Sequence, residues 1–579
     1  MKQIRDLILP ITFLLLITGC AKDEPKGMSD AELVQAIIDA EGKVEVTMED
    51  LPTAARGMME ENYLNDYLHL YSMKASMLGY EVSIAGRPGN SGKRGEVYFD
   101  IDGRKLDPND YGDDYKDWYG GRDGFDRNDF GEKRGWKCFE IVYPITIMMP
   151  DGSTYTIDSE EDSDLDAVKN YYEEPIVVSE AKGSIVKDLD GKSYLDFFGG
   201  ILTVSIGHAN EEVNSAVKAQ INDLTHISSL YPSIPVVELA ERLVNLAPKD
   251  LNKVFLNATG TEADETAVML AQLYTGNTEI LALRHGYSGR SMLAQSLTAH
   301  APWRAIPTQI ASVKHAMAPY CYRCPLKLSP KNCGTACATD VEELIQTTTI
   351  GKIAGILVEP IMGVGGFITP PKEYFSIVAD IVRKYGGIFI SDEVQTGFGR
   401  TGKTWGMEHY GVEPDMITVA KGIANGFPLA AVISTKEISD SLEKNTISTF
   451  GGNPVSCASA NATIDIIKRD NLTANAKNMG YRLMNGIKKI QKKFPKTIGD
   501  VRGKGLMVGI ELVKDETIKD RTPDLDSTNR IMEETKKKGL LIGRGGLYGN
   551  SLRIAPALNI NSDEIDEALQ IINDSFRAL

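Results

Sequence analysis

Asp415-Met-Ile-Thr-Val-Ala-Lys421-Gly-Ile-Ala-Asn-Gly426 holds an apolar, β-prone run, Met416 to Ala420, that ends on a lysine followed at once by glycine. Upstream, Gly387-Ile-Phe-Ile-Ser-Asp392-Glu-Val-Gln395 repeats the pattern with a carboxylate at the strand end. Similar short runs recur at Lys253-Val-Phe-Leu, Glu279-Ile-Leu-Ala-Leu and Ile353-Ala-Gly-Ile-Leu-Val, with helical stretches between them. This alternation predicts an α/β fold built on a mostly parallel sheet, from about residue 165 onward.

An amine and a buried acid at neighbouring strand ends are what pyridoxal phosphate (PLP) chemistry needs. The lysine holds the aldehyde as a Schiff base, and the acid keeps the pyridine nitrogen protonated so that the ring accepts electrons. Other segments supply the remaining parts. Thr259-Gly260-Thr261-Glu262-Ala263 enters a helical stretch, and free N–H groups at a helix start suit a phosphate. In Arg284-His-Gly-Tyr287-Ser-Gly-Arg290, Tyr287 can stack on a flat ring and Arg290 can clamp a carboxylate. Val394 is placed to press on the ring face and Gln395 to meet its phenolic oxygen. Taken singly, each has a plainer reading: a Gly-Thr loop, a surface turn with a packed tyrosine, an acidic strand end, a solvated lysine.

The 579-residue chain has a net charge of -17, which argues against a nucleic-acid-binding surface. Lys2 and Arg5 precede the apolar stretch Leu7 to Ile17 and then Thr18-Gly19-Cys20, so residues 1–20 read as a secretory signal. Ile17-Thr18-Gly19-Cys20 resembles a bacterial lipobox, which implies a lipid on Cys20 and a membrane anchor, with residues 21–27 as a polar tether. Residues 28–163 then form a separate N-terminal α+β domain of unassigned role. Helices are expected at Ser29–Ala40 and Glu61–Leu78, then an acidic Gly/Asp/Tyr stretch including Asp107 and Asp129. A β segment follows at Phe139–Met149 with a turn at Pro150-Asp151-Gly152, and acids from Asp158 to Asp166 mark a linker. Ser527–Lys538 and a final helix opening at Asn561-Ser562 suggest a smaller C-terminal α+β part.

Residues 165–579 resemble a class III PLP-dependent aminotransferase of the ornithine/4-aminobutyrate/alanine–glyoxylate type. The matching motifs are Gly260-Thr-Glu-Ala, Tyr287-x-Gly-Arg290, Glu359-Pro-x-x-Gly363, Ser391 to Gly402, Ala420 to Pro428, Ser448-Thr-Phe-Gly-Gly-Asn-Pro454 and Leu552-Arg-Ile-Ala-Pro556, in the family's order. The resemblance implies fold-type I architecture: a large domain at about 211–450, a small one from 165–210 and 451–579, and a homodimer. It implies Lys421 as Schiff-base lysine and proton shuttle, and Asp392 on the ring nitrogen. Tyr287 and Val394 would sandwich the ring, with Gln395 beside the phenolate. Gly260 and Thr261 would bind phosphate, joined by Thr449 of the partner. Arg553 would hold the α-carboxylate, Glu359 would pair with Arg553 when an ω-amino donor binds, and Arg290 would take a distal carboxylate. Ala258, Asp264 and Ser288 depart from the commoner residues, an Asn being frequent at 258 and 264, which bears on substrate preference.

Cys321-x-x-Cys324 and Cys333-x-x-x-Cys337 have the ligand types for zinc, but neither a histidine nor a second-shell pattern supports the metal, and packed reduced thiols, or disulfides if the chain is exported, are the favoured reading. The expected activity is amino transfer from alanine, β-alanine or 4-aminobutyrate to pyruvate, glyoxylate or 2-oxoglutarate. Its rivals are another PLP activity on the same scaffold (aminomutase, racemase or decarboxylase) and an envelope-anchored binding lipoprotein with an inert aminotransferase segment. The signal, if used, places the chain in the bacterial envelope; the alternative is the cytoplasm.

Overall fold

The computed structural model describes residues 29–40, 42–63, 67–86, 94–106, 145–148, 154–157, 172, 175–248, 250–307 and 310–579. The signal, Cys20, the tether, the acids Asp107 to Asp129, the turn at Pro150 and the acidic linker lie outside them. The chain divides into two units, Met1–Glu140 and Ile141–Leu579. Among the described residues no helix is long and apolar enough to cross a membrane.

In the first unit, α1 (Asp30–Asp39) opens on a capping box: Ser29 Oγ accepts from the Glu32 N–H and the Glu32 carboxylate accepts from the Ser29 N–H. β1 (Val44–Val46), α2 (Thr53–Asn62), β2 (Tyr67–Ala75), β3 (Gly79–Gly86) and β4 (Arg94–Asp100) follow, and the strands form an antiparallel sheet in that order. Val97 and Phe99 pack with Ala55 and Met59 of α2, while Tyr98 packs with Leu33, Val34 and Ile37 of α1. Alternate residues of a strand point to opposite faces, so the two helices cover opposite sides of the sheet.

The helix expected at Glu61–Leu78 is not formed. α2 ends at Asn62, and Tyr67–Ala75 is a strand hydrogen-bonded on both edges, to β1 and to β3. The Leu, Met and Tyr content that suggested a helix is overridden by these long-range ladders, with the hairpin turned at Met77 (φ 65°). The β segment expected near Met149 is present as Ile145–Met148, paired with Thr154–Ile157, and it groups with the second unit.

The second unit is built on a seven-stranded sheet. Its strands are β5 (Lys253–Asn257), β6 (Ile280–Leu283), β7 (Val313–Ala316), β8 (Gly355–Val358), β9 (Ile388–Asp392), β10 (Met416–Val419) and β11 (Ala430–Ser434), in the spatial order β5-β11-β10-β9-β8-β6-β7. Only β11 runs against its neighbours. The five inner strands are buried along their whole length because both faces are covered, whereas the edge strands β5 and β7 carry Lys253, Lys314 and His315. Ile280, Leu357, Ile388 and Ile390 meet Ala263, Ala267 and Leu270 of α3 (Gly260–Thr275), and Leu281, Ile356, Val358 and Phe389 meet Phe375, Val378 and Val382 of α4 (Tyr374–Lys384).

Both ends of this unit build the smaller α+β part. Leu540–Leu541 pairs in parallel with Ser193–Asp196, and Ile498–Gly503, Val508–Asp515 and Ser551–Ile554 form another sheet beside it. Long helices α5 (Leu472–Lys493) and α6 (Ser562–Arg577) cover it, α6 opening on the Asn561/Glu564 capping box. Gly480 of α5 lies against the loop at Gly505, where a Cβ would stand 2.1 Å from the Gly505 carbonyl oxygen. Gly→Ala inside a helix ordinarily stabilises by about 1 kcal/mol. Here the obstacle is backbone, so Gly480→Ala is expected to destabilise by about 1–3 kcal/mol instead, seen as a lower melting temperature.

Candidate active site

Adjoining parallel strands deliver the chemistry to one edge of the sheet. β10 ends before Lys421, β9 at Asp392, β8 before Glu359 and β6 before the His285–Tyr287 loop. The carboxyl ends of parallel strands are where open α/β sheets collect ligands. Here they enclose, with the start of α3, a cavity of about 200 Å³ lined by Gly260, Thr261, Tyr287, Asp392, Val394, Gln395 and Lys421.

Lys421 opens a single 3-10 turn in a left-handed conformation, φ 48°. A non-glycine residue there costs about 1–2 kcal/mol, a strain that recurs at functional positions. Gly422 beside it allows close approach, because a Cβ would meet Ser205 Oγ at 2.4 Å. Asn425 braces the turn by accepting from the Ile206 N–H and donating to the Gly207 carbonyl. Burial lowers the proton affinity of the Lys421 amine, and the charges of Asp392 and Glu359 act against that shift.

Asp392 is 6% exposed and accepts from the Val394 N–H at 2.9 Å. Burial raises its pKa to about 6, opposed by that hydrogen bond and by Lys421. Glu359 is raised to about 8, again chiefly by burial. It accepts from the backbone N–H groups of Tyr287 (3.0 Å) and Gly363 (2.7 Å). Arg553 meets the same residue from the other side, donating to the Gly363 carbonyl, and its guanidinium lies 4.8 Å from the Phe198 ring centroid.

At the other part of the wall, Thr259 caps α3 by accepting from the Glu262 N–H. The N–H groups of Gly260 and Thr261 have no protein partner among the described residues, so this helix start presents donors and a positive dipole end to an anion. The Tyr287 ring is held edge-on by Trp303 at 5.7 Å. Gln395 Oε1 is buried without a partner. A cavity with anion-binding N–H groups, a buried amine, a buried carboxylate and an unsatisfied amide fits the phosphate, aldehyde, pyridine nitrogen and phenolic oxygen of PLP.

Most of the expected residues therefore converge, but Arg290, Thr449 and Arg553 do not line the cavity; Arg553 is buried and bound to the Gly363 carbonyl. Arg290 is exposed, near enough for its charge to act on the Tyr287 phenol. Thr449 is also exposed, next to Phe450. Trp303 escaped sequence reading, since nothing in a loop residue's spacing announces a contact with Tyr287. The cysteines gather elsewhere: Cys321, Cys324, Cys333 and Cys337 are free thiols around a space of about 20 Å³. Burial and mutual proximity push Cys337 up to about 11. Among the described residues no group of three or more His, Cys, Asp or Glu side chains stands so as to hold a metal.

A mainly parallel sheet with a lysine and an acid at adjoining strand ends over an anion-binding helix start defines a fold-type I PLP-dependent enzyme. Residues 167–576 match the family described as Aminotransferase class-III. The chain belongs to this family: it is a PLP-dependent aminotransferase, and the family's chemistry is transamination between amino or ω-amino acids and 2-oxo acids. It is 41% identical over 406 residues to alanine–glyoxylate aminotransferase 2 homolog 2 of Arabidopsis thaliana, covering 70% of this chain and 83% of that one. It is 35% identical to a leucine/methionine racemase of Thermococcus litoralis, covering 68% and 89%. Among solved structures, an amine transaminase from an uncultivated Pseudomonas species superposes with TM-score 0.66 at 30% identity, covering 70% of this chain and 95% of that one.

Proposed function

We propose that the enzyme moves an amino group from alanine, β-alanine or 4-aminobutyrate to pyruvate, glyoxylate or 2-oxoglutarate in alternating half-reactions. The convergence of Lys421, Asp392, Tyr287 and the Gly260–Thr261 N–H groups on one cavity carries this reading, and likeness to an alanine–glyoxylate aminotransferase supports the substrates. Bound PLP would supply the electron sink that stabilises charge at the substrate's amine-bearing carbon. Lys421 would hold the cofactor through Nζ and, when released, would take and return at that atom the proton of the substrate's amine-bearing carbon, a task suited to an amine whose proton affinity burial has lowered. Asp392 keeps a proton on the ring nitrogen. Tyr287 and Val394 bracket the ring, Gln395 meets its phenolic oxygen, and Gly260 and Thr261 bind its phosphate. Arg553 takes the substrate carboxylate. Glu359, joined to Arg553 through Gly363, neutralises it for ω-amino donors. Arg290 reaches a distal carboxylate from the rim.

The wild-type protein with PLP is expected to show a visible absorbance band that bleaches with alanine or 4-aminobutyrate and returns with a 2-oxo acid. Lys421→Ala should lack the band while remaining folded. A second reading, racemisation, is favoured by the racemase relative. Chiral analysis of alanine and leucine incubated without any 2-oxo acid separates the two, since inversion there supports racemisation and retention supports transamination.

A homodimer is supported by one apolar surface. Leu230 (73% exposed), Tyr231, Ile234 and Phe450 (62%) lie in segments joined by the His226–Phe450 ring contact and by the Asn453 side chain donating to the Thr225 carbonyl. Thr449 beside Phe450 would then reach the phosphate of the second copy. Sedimentation should give a dimer for the wild type, and Ile234→Asp with Phe450→Arg should give a monomer that binds PLP at least tenfold more weakly. A wild-type monomer would remove the proposal.

A lipid anchor at Cys20 is supported by the lipobox-like Ile17–Cys20 and the apolar run before it, and it would place the enzyme in the envelope rather than the cytoplasm. Cells fed labelled palmitate should label the wild type and not Cys20→Ser; an unlabelled wild type in the cytosolic fraction would refute the anchor.

A further inference from the structure

Asp264 lies four residues beyond Gly260 on α3, about 6 Å further along the helix axis. It is 1% exposed and lines the same cavity as Asp392, Glu359 and Lys421. Thr418 Oγ1 donates to Asp264 Oδ1 at 2.7 Å. Thr418 is also the register partner of Asp392 across β9 and β10, so one threonine fixes the first carboxyl beside the second. Asp392 in turn has one oxygen tied to the Val394 N–H. Each acid keeps a second oxygen without a protein partner among the described residues.

The charged groups acting on Asp264 come from three neighbouring segments: Asp392 on β9, Glu359 after β8 and Lys421 after β10. The acids of α3 itself are engaged elsewhere, Glu262 with the Ala258 N–H and Glu265 with Ser291 Oγ. Three buried carboxyls around one amine cannot all be charged at low cost. Burial and the nearby Asp392 charge push Asp264 well above the carboxylate range, while Asp392 itself is raised to about 6.

We propose that Asp264 is a positioning residue of the ring-nitrogen subsite: it holds a proton at neutral pH, presents a neutral carboxyl beside Asp392, and leaves Asp392 as the anion that the pyridine nitrogen meets. The proposal rests on the role given to Asp392 above. A protonated aspartic acid donates from one terminal atom and accepts at the other, as an asparagine amide does with one N–H more, so Asp264→Asn approximates the neutral form and removes the charged one.

Full-length apoprotein of the wild type, Asp264→Asn and Thr418→Val is melted from pH 5 to 9, and the absorbance of added PLP is followed over the same range. An acid whose folded pKa is raised contributes stability that is fully present below its unfolded value near ~4 and is lost as pH rises through the folded value. The Asp264→Asn apoprotein should therefore lose about 2–4 °C less than the wild type across the range. PLP absorbance should match between the two at pH 7 and diverge only as pH rises to where Asp264 ionises in the wild type, which then gains a second charge. Thr418→Val removes a bond that favours the charged acid, so it should move the wild-type fall to higher pH; it carries the test if the Asn variant folds poorly. Parallel melting profiles for all three proteins overturn the proposal, and so does an absorbance change in Asp264→Asn that is as large at pH 7 as at pH 9. An Asp392→Asn control separates the two readings: unchanged PLP absorbance there sinks the Asp392 role and with it the ring-nitrogen part, whereas melting differences report the proton on Asp264 independently.

Discussion

Removal of water from several ionisable groups at once is the constraint on which the site depends. Lys421, Asp392, Glu359 and Asp264 surround one cavity. Isolated burial of any one in its charged form would be costly. Parallel strands place them with ångström consistency: because Asp392 sits opposite Thr418 in the ladder, Lys421 falls three residues beyond that register at the next strand's end. The apolar residues of these strands, buried against α3 and α4, hold the spacing fixed. A one-residue slip of β10 would turn Thr418 away from Asp264 and misplace Lys421 together.

The same reasoning extends to the side of the site that carries Arg553. Glu511 is fully buried in the smaller part of the unit, between Arg502 and Arg323, and accepts from the Tyr320 hydroxyl. Arg502 also donates to Ser551, two residues before Arg553 on the same strand. The loop that carries the four cysteines is therefore tied, through Tyr320, Arg323 and Glu511, to the strand paired with the one that carries Arg553. Removing Glu511 alone would take the paired carboxylate from half-buried Arg323 and leave buried Arg502 with Asp500 alone.

Much of the site was legible because its parts sit at strand ends, where an apolar run, a polar residue and a glycine occur within a few positions. Lys421, Asp392 and the Gly260–Thr261 turn could be placed that way. The parts set by loops could not. Trp303 reaches Tyr287 through a segment with no periodicity, and the position of Arg290 at the rim depends on how its loop leaves β6. In the first unit, Tyr67–Ala75 is a strand where a helix was expected because its apolar content suits either period, and the pairing that decides comes from the hairpin partner Gly79–Gly86 and from Val44–Val46.

The parallel pairing of Leu540–Leu541 with Ser193–Asp196 bears on how the polypeptide is made. Synthesis runs from the amino end, so Leu195 leaves the ribosome long before Leu540 exists. Its parallel-side backbone groups can be satisfied by the native ladder only once nearly the whole chain has emerged. The central sheet, closed by Ser434, has no such wait. The Leu540–Leu541 strand thus acts as the clasp that fastens the beginning of the catalytic unit to its end.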